Sequence, residues 1–111
     1  MINETDLSAF DYYQGEVNKL MLTTGNKRLM ENTLGLVGET GEVAEKIKKH
    51  IRDDKPIDIQ DMEKELGDAL FYLAGLAGYF GLSLGGVAYT NLAKLYDRKK
   101  RGVLQGSGDN R

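Results

Sequence analysis

Apolar residues in this chain return every three or four positions, and no stretch carries a convincing alternation of apolar and polar residues. A period near 3.6 marks amphipathic helices, and a period of two marks half-buried strands. The pattern predicts four helices. The first covers about Asp6 to Leu22, with Leu7, Phe10, Val17 and Met21 at helical spacing. The second covers about Lys27 to His50, with a stripe of Leu36, Thr40, Val43, Ala44, Ile47 and Ile51. A charged, exposed loop is expected from Arg52 to Lys55, just before the single proline, Pro56. The third helix opens with Asp58 as N-cap and Asp61 near the third position, and carries Met62, Leu66, Ala69, Leu73, Ala77 and Phe80 on one face. The fourth follows Ser83, a second N-cap, and carries Leu84, Val87, Ala88, Leu92 and Leu95.

The expected fold is therefore all-α and bundle-like, over residues 1–101, followed by a glycine-rich tail over residues 102–111. Such a tail is flexible alone but can order over a ligand or a neighbouring subunit. Ala69 to Ala93 carries no charged residue and is long enough to cross a bilayer. Gly81, Ser83, Gly85 and Gly86 break it, however, and Tyr72, Tyr79, Thr90 and Asn91 dot it with polar groups. Two buried helices joined by a tight turn fit it better, and no membrane partner is expected.

With 111 residues the chain is long enough for one domain with a modest core, which an extended helical protein often completes by pairing with a copy of itself. The net charge of -2 argues against a nucleic-acid surface, which normally shows a basic excess. The absence of cysteine removes disulfides, thiolate metal sites and cysteine nucleophiles, and the single histidine, His50, removes any site needing two imidazoles from one chain. The first residues are acidic and lack an apolar run, so no secretory leader is expected and the cytoplasm is the default compartment. Glycine is frequent within the second and third helices, at Gly35, Gly38, Gly41, Gly67, Gly75 and Gly78. Each costs up to about 1 kcal/mol against alanine, so close approach of a neighbouring helix or a ligand is expected to offset it.

The candidate chemistry is acidic. Glu39-Thr-Gly-Glu42 and Glu65-Leu-Gly-Asp68 place acids three apart on two successive helices, about 60° apart on one face. In both helices the pair falls on the same-handed flank of the apolar stripe, so antiparallel packing can bring four carboxylates to one edge of the core. Converging carboxylates raise one another's pKa unless a cation sits among them. An all-oxygen set suits Mg²⁺ or Mn²⁺. The plainer alternative is two solvated faces, with Glu42 pairing Lys46 along the helix. Glu45 and Glu63 lie at similar positions yet point further from the shared flank or to its other side. Tyr72 and Tyr79 lie on the flank of Glu65 and Asp68, as base-stacking aromatics or as edge residues of the core. In the fourth helix Asn91, Lys94, Arg98 and Arg101 form one stripe, either holding phosphate oxygens or complementing the helix dipole, a role that suits Lys99 and Lys100 better.

These segments resemble a known family. Gly35 to Glu45, Gly-Leu-Val-Gly-Glu-Thr-Gly-Glu-Val-Ala-Glu, is similar to the first signature of the MazG-like all-α nucleoside triphosphate pyrophosphohydrolases. Lys64 to Leu73, Lys-Glu-Leu-Gly-Asp-Ala-Leu-Phe-Tyr-Leu, resembles the second. Phe10 to Gln14, the Asn91-Leu-Ala-Lys94-Leu run and the closing Gly-Ser-Gly-Asp-Asn-Arg resemble the family's first helix, last helix and tail. The resemblance implies a helical fold that assembles as a homodimer or homotetramer with active sites at or near subunit contacts. It implies Mg²⁺ on Glu39, Glu42, Glu65 and Asp68, and cleavage of a nucleoside triphosphate between the α and β phosphates to a monophosphate and pyrophosphate. Substrate contacts are expected from Gln14, Lys46, Tyr72, Asn91, Lys94 and Arg98. Glu42 is the working choice for the acid that accepts the proton of the attacking water. No side-chain nucleophile is needed, because phosphoryl transfer depends mainly on positioning and charge stabilisation.

The alternative is a non-catalytic nucleotide- and metal-binding module of the same fold. A di-iron carboxylate bundle would need Glu-x-x-His on two helices, and His50 does not follow an acid at that spacing. A purely structural helical oligomer would leave the acidic flanks unexplained.

Overall fold

The structure, a computed structural model, describes residues 2–111 and leaves Met1 outside. All regular structure in these residues is helical: α1 (Ser8–Leu20), α2 (Gly25–Asp53), α3 (Ile59–Tyr79) and α4 (Leu84–Lys100), with a short 3-10 turn at Glu4–Leu7 before α1. That turn takes over the start expected for the first helix. Asn3 makes a capping box there, its side chain accepting from Thr5 N at 3.1 Å and its N–H donating to Asp6 Oδ2 at 3.2 Å.

α2 extends further than its apolar stripe at both ends. The loop expected from Arg52 is instead helical through Asp53, and the two side chains pair at 2.8 Å on the helix surface. Charge alone did not end the helix, because charged residues are tolerated on a solvated face. The chain turns at Asp54, which adopts φ 52° and ψ 43°, the left-handed conformation that Asp tolerates better than most residues. The starts of α3 and α4 match expectation: Asp58 accepts from Asp61 N at 3.2 Å, and Ser83 accepts from Gly86 N at 2.8 Å.

α2 and α3 form an antiparallel hairpin, in which glycines set the spacing. A Cβ on Gly35 would lie 2.5 Å from the Tyr72 ring, and one on Gly75 would lie 2.8 Å from Asn32 Oδ1. A Cβ on Gly78 would meet Arg28 Nη2 at 2.8 Å, and that guanidinium donates to Gly75 O at 3.0 Å and to Asn18 Oδ1 at 2.9 Å. Close helix approach is thus what three of the helix glycines provide.

α1 packs against α3 and α4 around Val17, Ala74 and Leu84, with Tyr13, Met21 and Phe71 at the margin. Its polar residues also build the corner between α3 and α4. Gln14, buried, donates to Ala74 O (3.2 Å) and Leu82 O (3.0 Å) and accepts from Leu84 N (2.9 Å). Asp11 Oδ1 accepts from Gly85 N at 2.8 Å. With Ser83, these side chains serve the otherwise unpaired first N–H groups of α4, where negative charge is also favoured by the helix dipole. α3 and α4 consequently diverge by 98°. Among the described residues, no single helix is long and apolar enough to cross a membrane.

The backbone of α2 approaches α3 but neither α1 nor α4. The arrangement is open: the radius of gyration is 16.5 Å, against about 13 Å for a compact chain of this size. Several apolar positions expected in the core are therefore exposed, among them Ile47, Ile51, Leu66, Leu73 and Phe80. They lie on faces that no other helix of the protomer covers.

Candidate active site

The α2–α3 hairpin brings three of the four expected acids together. Glu39 of α2 and Glu65 and Asp68 of α3 each place a carboxylate oxygen within 4.8 Å of the other two. The cluster lies one helical turn from the Gly35–Tyr72 contact on both helices, so the closeness of the hairpin there sets the separation of the acids. The Glu39 carboxyl is held above its usual range, first by a hydrogen bond with Glu65, then by burial, then by the charges of Asp68, Glu65 and Glu42. No cation is among the contributions to Glu39, so its neighbouring acids repel its charge. Its donors are all oxygen, which matches a hard divalent cation such as Mg²⁺ or Mn²⁺.

Glu42 stands outside the three-acid cluster, exposed one turn along α2, near enough for its charge to act on Glu39. Lys46 does not pair with Glu42 along the helix. Its partner is Asp61 of α3, with Nζ 2.5 Å from Oδ2. The hydrogen bond to Asp61 is the main reason its pKa is raised; partial burial opposes this, and the charges of Asp61, Glu65 and Glu42 add to it. Lys46 therefore sits at the edge of the acidic site, tethered by Asp61.

The tyrosines divide. Tyr72 packs over Gly35 and meets Phe71 edge-to-face at 5.5 Å, while Tyr79 meets Phe80 at 5.1 Å, nearer the α3–α4 corner. Tyr13 of α1 feels the acidic site electrostatically: its phenol pKa is raised by burial and then by the charge of Asp68. That influence acts between residues far apart in the chain, and helical periodicity carried no signal for it. Gln14, expected to touch substrate, has its amide engaged in the α3–α4 corner.

The cations of α4 have different partners from the acids. Asn91 and Lys94 line a groove of about 500 Å³ with Leu82, Ser83, Val87 and Thr90. Lys94 Nζ lies 3.5 Å from Asp109 Oδ1, and Arg98 Nη2 lies 3.6 Å from the same oxygen. Arg101 pairs with Asp97 at 2.8 Å. The tail is ordered along its own α4: Arg98 Nη2 donates to Asp109 O at 2.6 Å, and Arg101 Nη2 donates to Arg111 O at 2.6 Å.

Comparison with known proteins agrees with this arrangement. Residues 27–103, which contain all four acids, α3 and α4, match the model of the MazG nucleotide pyrophosphohydrolase domain. The chain is also similar to the Gene 37 protein of Mycobacterium phage L5, 51% identical over 83 residues, covering 71% of this chain and 73% of the phage protein. No solved structure matches it. An all-helical chain whose glycine-spaced hairpin gathers three of these acids, and whose matched region spans well over half its length, belongs to the MazG nucleotide pyrophosphohydrolase family.

Proposed function

We propose that the protein hydrolyses nucleoside triphosphates between the α and β phosphates, releasing a nucleoside monophosphate and pyrophosphate, in a reaction that requires Mg²⁺. The observation that carries this reading is the Glu39–Glu65–Asp68 cluster, three carboxylates that repel one another within a chain of this family. Glu39, Glu65 and Asp68 would hold the metal, with Glu42 joining from the next turn of α2. Bound there, a divalent cation supplies charge neutralisation for the phosphates and a lowered pKa for a water.

The chain's own residues do the rest. Glu42, exposed and beside the cluster, accepts the proton of the attacking water. Lys46 contributes positive charge at the edge of the site while Asp61 keeps its amine in place. Tyr72, fixed against Gly35, offers a ring to the base. Asn91, Lys94 and Arg98 hold phosphate oxygens, and the planar guanidinium of Arg98 suits two such oxygens at once. Because α2 and α4 do not meet within a protomer, we place the complete site at a contact between copies of the chain. The exposed stripe of Met30, Leu34 and Val37 along α2, the last 64% accessible, is the surface for that contact.

A nucleotide panel tests the reading. Purified protein is given each common and modified NTP and dNTP, with and without Mg²⁺, and monophosphate and pyrophosphate are both quantified. Metal-dependent release of both products, lost in Glu39→Gln and Asp68→Asn, is expected. A folded protein that binds Mg²⁺ and nucleotide without turnover would instead be a binding module of the same fold.

A further inference from the structure

Lys94 and Arg98 already face an anion supplied by their own chain. Arg98 is 4% exposed, and its guanidinium donates to the main-chain oxygens of Asp109 (2.6 Å) and Gly108 (3.4 Å). The Asp109 carboxylate stands 3.5 Å from Lys94 Nζ and 3.6 Å from Arg98 Nη2 while remaining 87% exposed. Two cations one turn apart thus share one carboxylate oxygen, and Arg98 also takes two carbonyl oxygens, so three acceptors stand where the oxygens of a phosphate group would.

The tail that delivers Asp109 is built as a unit. Arg111 donates to Gly108 O (2.6 Å), Leu104 O (2.9 Å) and Val103 O (3.1 Å), so its guanidinium ties the two ends of the segment together. Gly102, at φ 75°, reverses the chain directly after α4, a conformation that a side chain would strain. The loop therefore carries its own internal bonds and meets α4 in two ways: through the buried Arg98 guanidinium and the Val103 N–H to Arg98 O bond, and through the exposed Asp109 carboxylate.

We propose that Asp109 is a built-in occupant of the phosphate-holding cations Lys94 and Arg98, and that a polyphosphate enters by displacing it. This rests on the assignment of those two cations to phosphate made above. A carboxylate brings one charge to the pair, whereas a pyrophosphate group brings more charge and more oxygens within the same reach, so it outcompetes the tail. A single phosphate has less advantage over Asp109. The tail accordingly selects polyphosphates over a monophosphate product and helps to clear that product from the cations.

The test uses the full chain with inorganic pyrophosphate and no divalent metal, which leaves the acid cluster out of the measurement. Hydrogen exchange of residues 102–111 is followed during the titration, and affinity is measured by calorimetry for the unmodified protein and Asp109→Asn. Pyrophosphate is expected to bind and to raise exchange across the tail, whereas inorganic phosphate at the same concentration leaves the tail protected. Asp109→Asn is expected to bind pyrophosphate about threefold more tightly, the range of an exposed ion pair. Absence of pyrophosphate binding, unchanged tail protection on binding, or equal or weaker binding by Asp109→Asn overturns the proposal. The nucleotide panel is read separately. Turnover with a tail that does not respond removes this inference and keeps the enzyme, while displacement of the tail without turnover keeps the inference and removes the enzyme.

Discussion

Gly35 and Tyr72 touch so closely that a single methyl group on Gly35 would lie 2.5 Å from the tyrosine ring. Glu39 follows Gly35 by one helical turn, and Asp68 precedes Tyr72 by one turn, so this contact and the acid cluster are successive rungs of the same hairpin. Gly35→Ala should therefore spread the hairpin or displace the ring. Overpacking costs about 1–3 kcal/mol and the better helix propensity of alanine returns up to about 1 kcal/mol. A net loss near 1 kcal/mol, or roughly 5 °C in melting temperature, is expected, together with weaker Mg²⁺ binding in a metal titration. A variant as stable as the parent, with the same metal affinity, would show that the close approach does not position the acids.

The repulsion within the cluster has a thermal signature. Mg²⁺ should raise the melting temperature, by an amount corresponding to about 2.7 kcal/mol at a metal concentration one hundred times Kd. Glu39→Gln and Asp68→Asn should abolish most of that rise. They should also leave the chelated protein at least as stable as the parent, because each removes a repelling charge. Substitutions that lower the stability of the chelated protein while preserving the metal response would assign these acids a structural role.

The same repulsion fixes the sign of a pH effect. The Glu39 pKa is raised in the folded state, above all by its hydrogen bond with Glu65, so the folded protein holds this proton to higher pH than the unfolded chain does. The contribution of Glu39 to the stability of the chelated protein must then fall as pH rises from the ordinary carboxylate range through the raised value. Asp109, lowered chiefly by the charge of Lys94, and Asp53, lowered chiefly by its hydrogen bond with Arg52, act in the opposite direction. Their contributions are lost as pH falls through their depressed values. Melting curves of chelated parent and Glu39→Gln across the acidic range should diverge, with the parent losing more stability on the way up.

Gln14→Leu should be costly. It leaves Leu84 N–H and the carbonyls of Ala74 and Leu82 without their side-chain partner in a buried corner. About 2–3 kcal/mol of stability should disappear in denaturant unfolding, the usual penalty for stranded buried polar groups. A loss below about 0.5 kcal/mol would mean that the α3–α4 corner holds without this amide.

Self-association is measurable directly. Sedimentation at micromolar concentration should give a dimer or tetramer. Introducing charge into the α2 stripe, Leu34→Glu with Val37→Glu, should shift the protein toward monomer and reduce turnover together. Both side chains are more than 60% exposed in the protomer, so the substitutions disturb no core within it.

The helices, their N-caps and the acids were legible in the linear pattern, because each rests on local spacing. Asp58 and Ser83 cap the helices they precede, and of the two acid pairs Glu39, Glu65 and Asp68 meet while Glu42 stays outside. The end of α2 was misread, because a run of charges is compatible with a solvated helix and the stop came from the backbone of Asp54. The ordered tail was not legible either. Its glycines point to a segment that is free alone and orders over a ligand or a neighbouring subunit, whereas its order on its own α4 depends on Arg111, Arg98 and Asp109 finding their partners in space.

What the amino-acid sequence by itself determined is the set of elements and the chemistry they carry: four amphipathic helices, acids paired at one-turn spacing on two of them, and cations at the same spacing on the fourth. Helical periodicity links residues three and four apart, so it is written in the order of the chain. The tertiary structure decided which of these groups meet. It placed Glu42 beside the cluster, gave Lys46 to Asp61, put the Tyr13 phenol within reach of the charge of Asp68, and closed Asp109 onto Lys94 and Arg98. Those pairings depend on how closely glycine lets two helices approach and on which direction a capped corner sends the next helix, and neither is a property of any one stretch of chain.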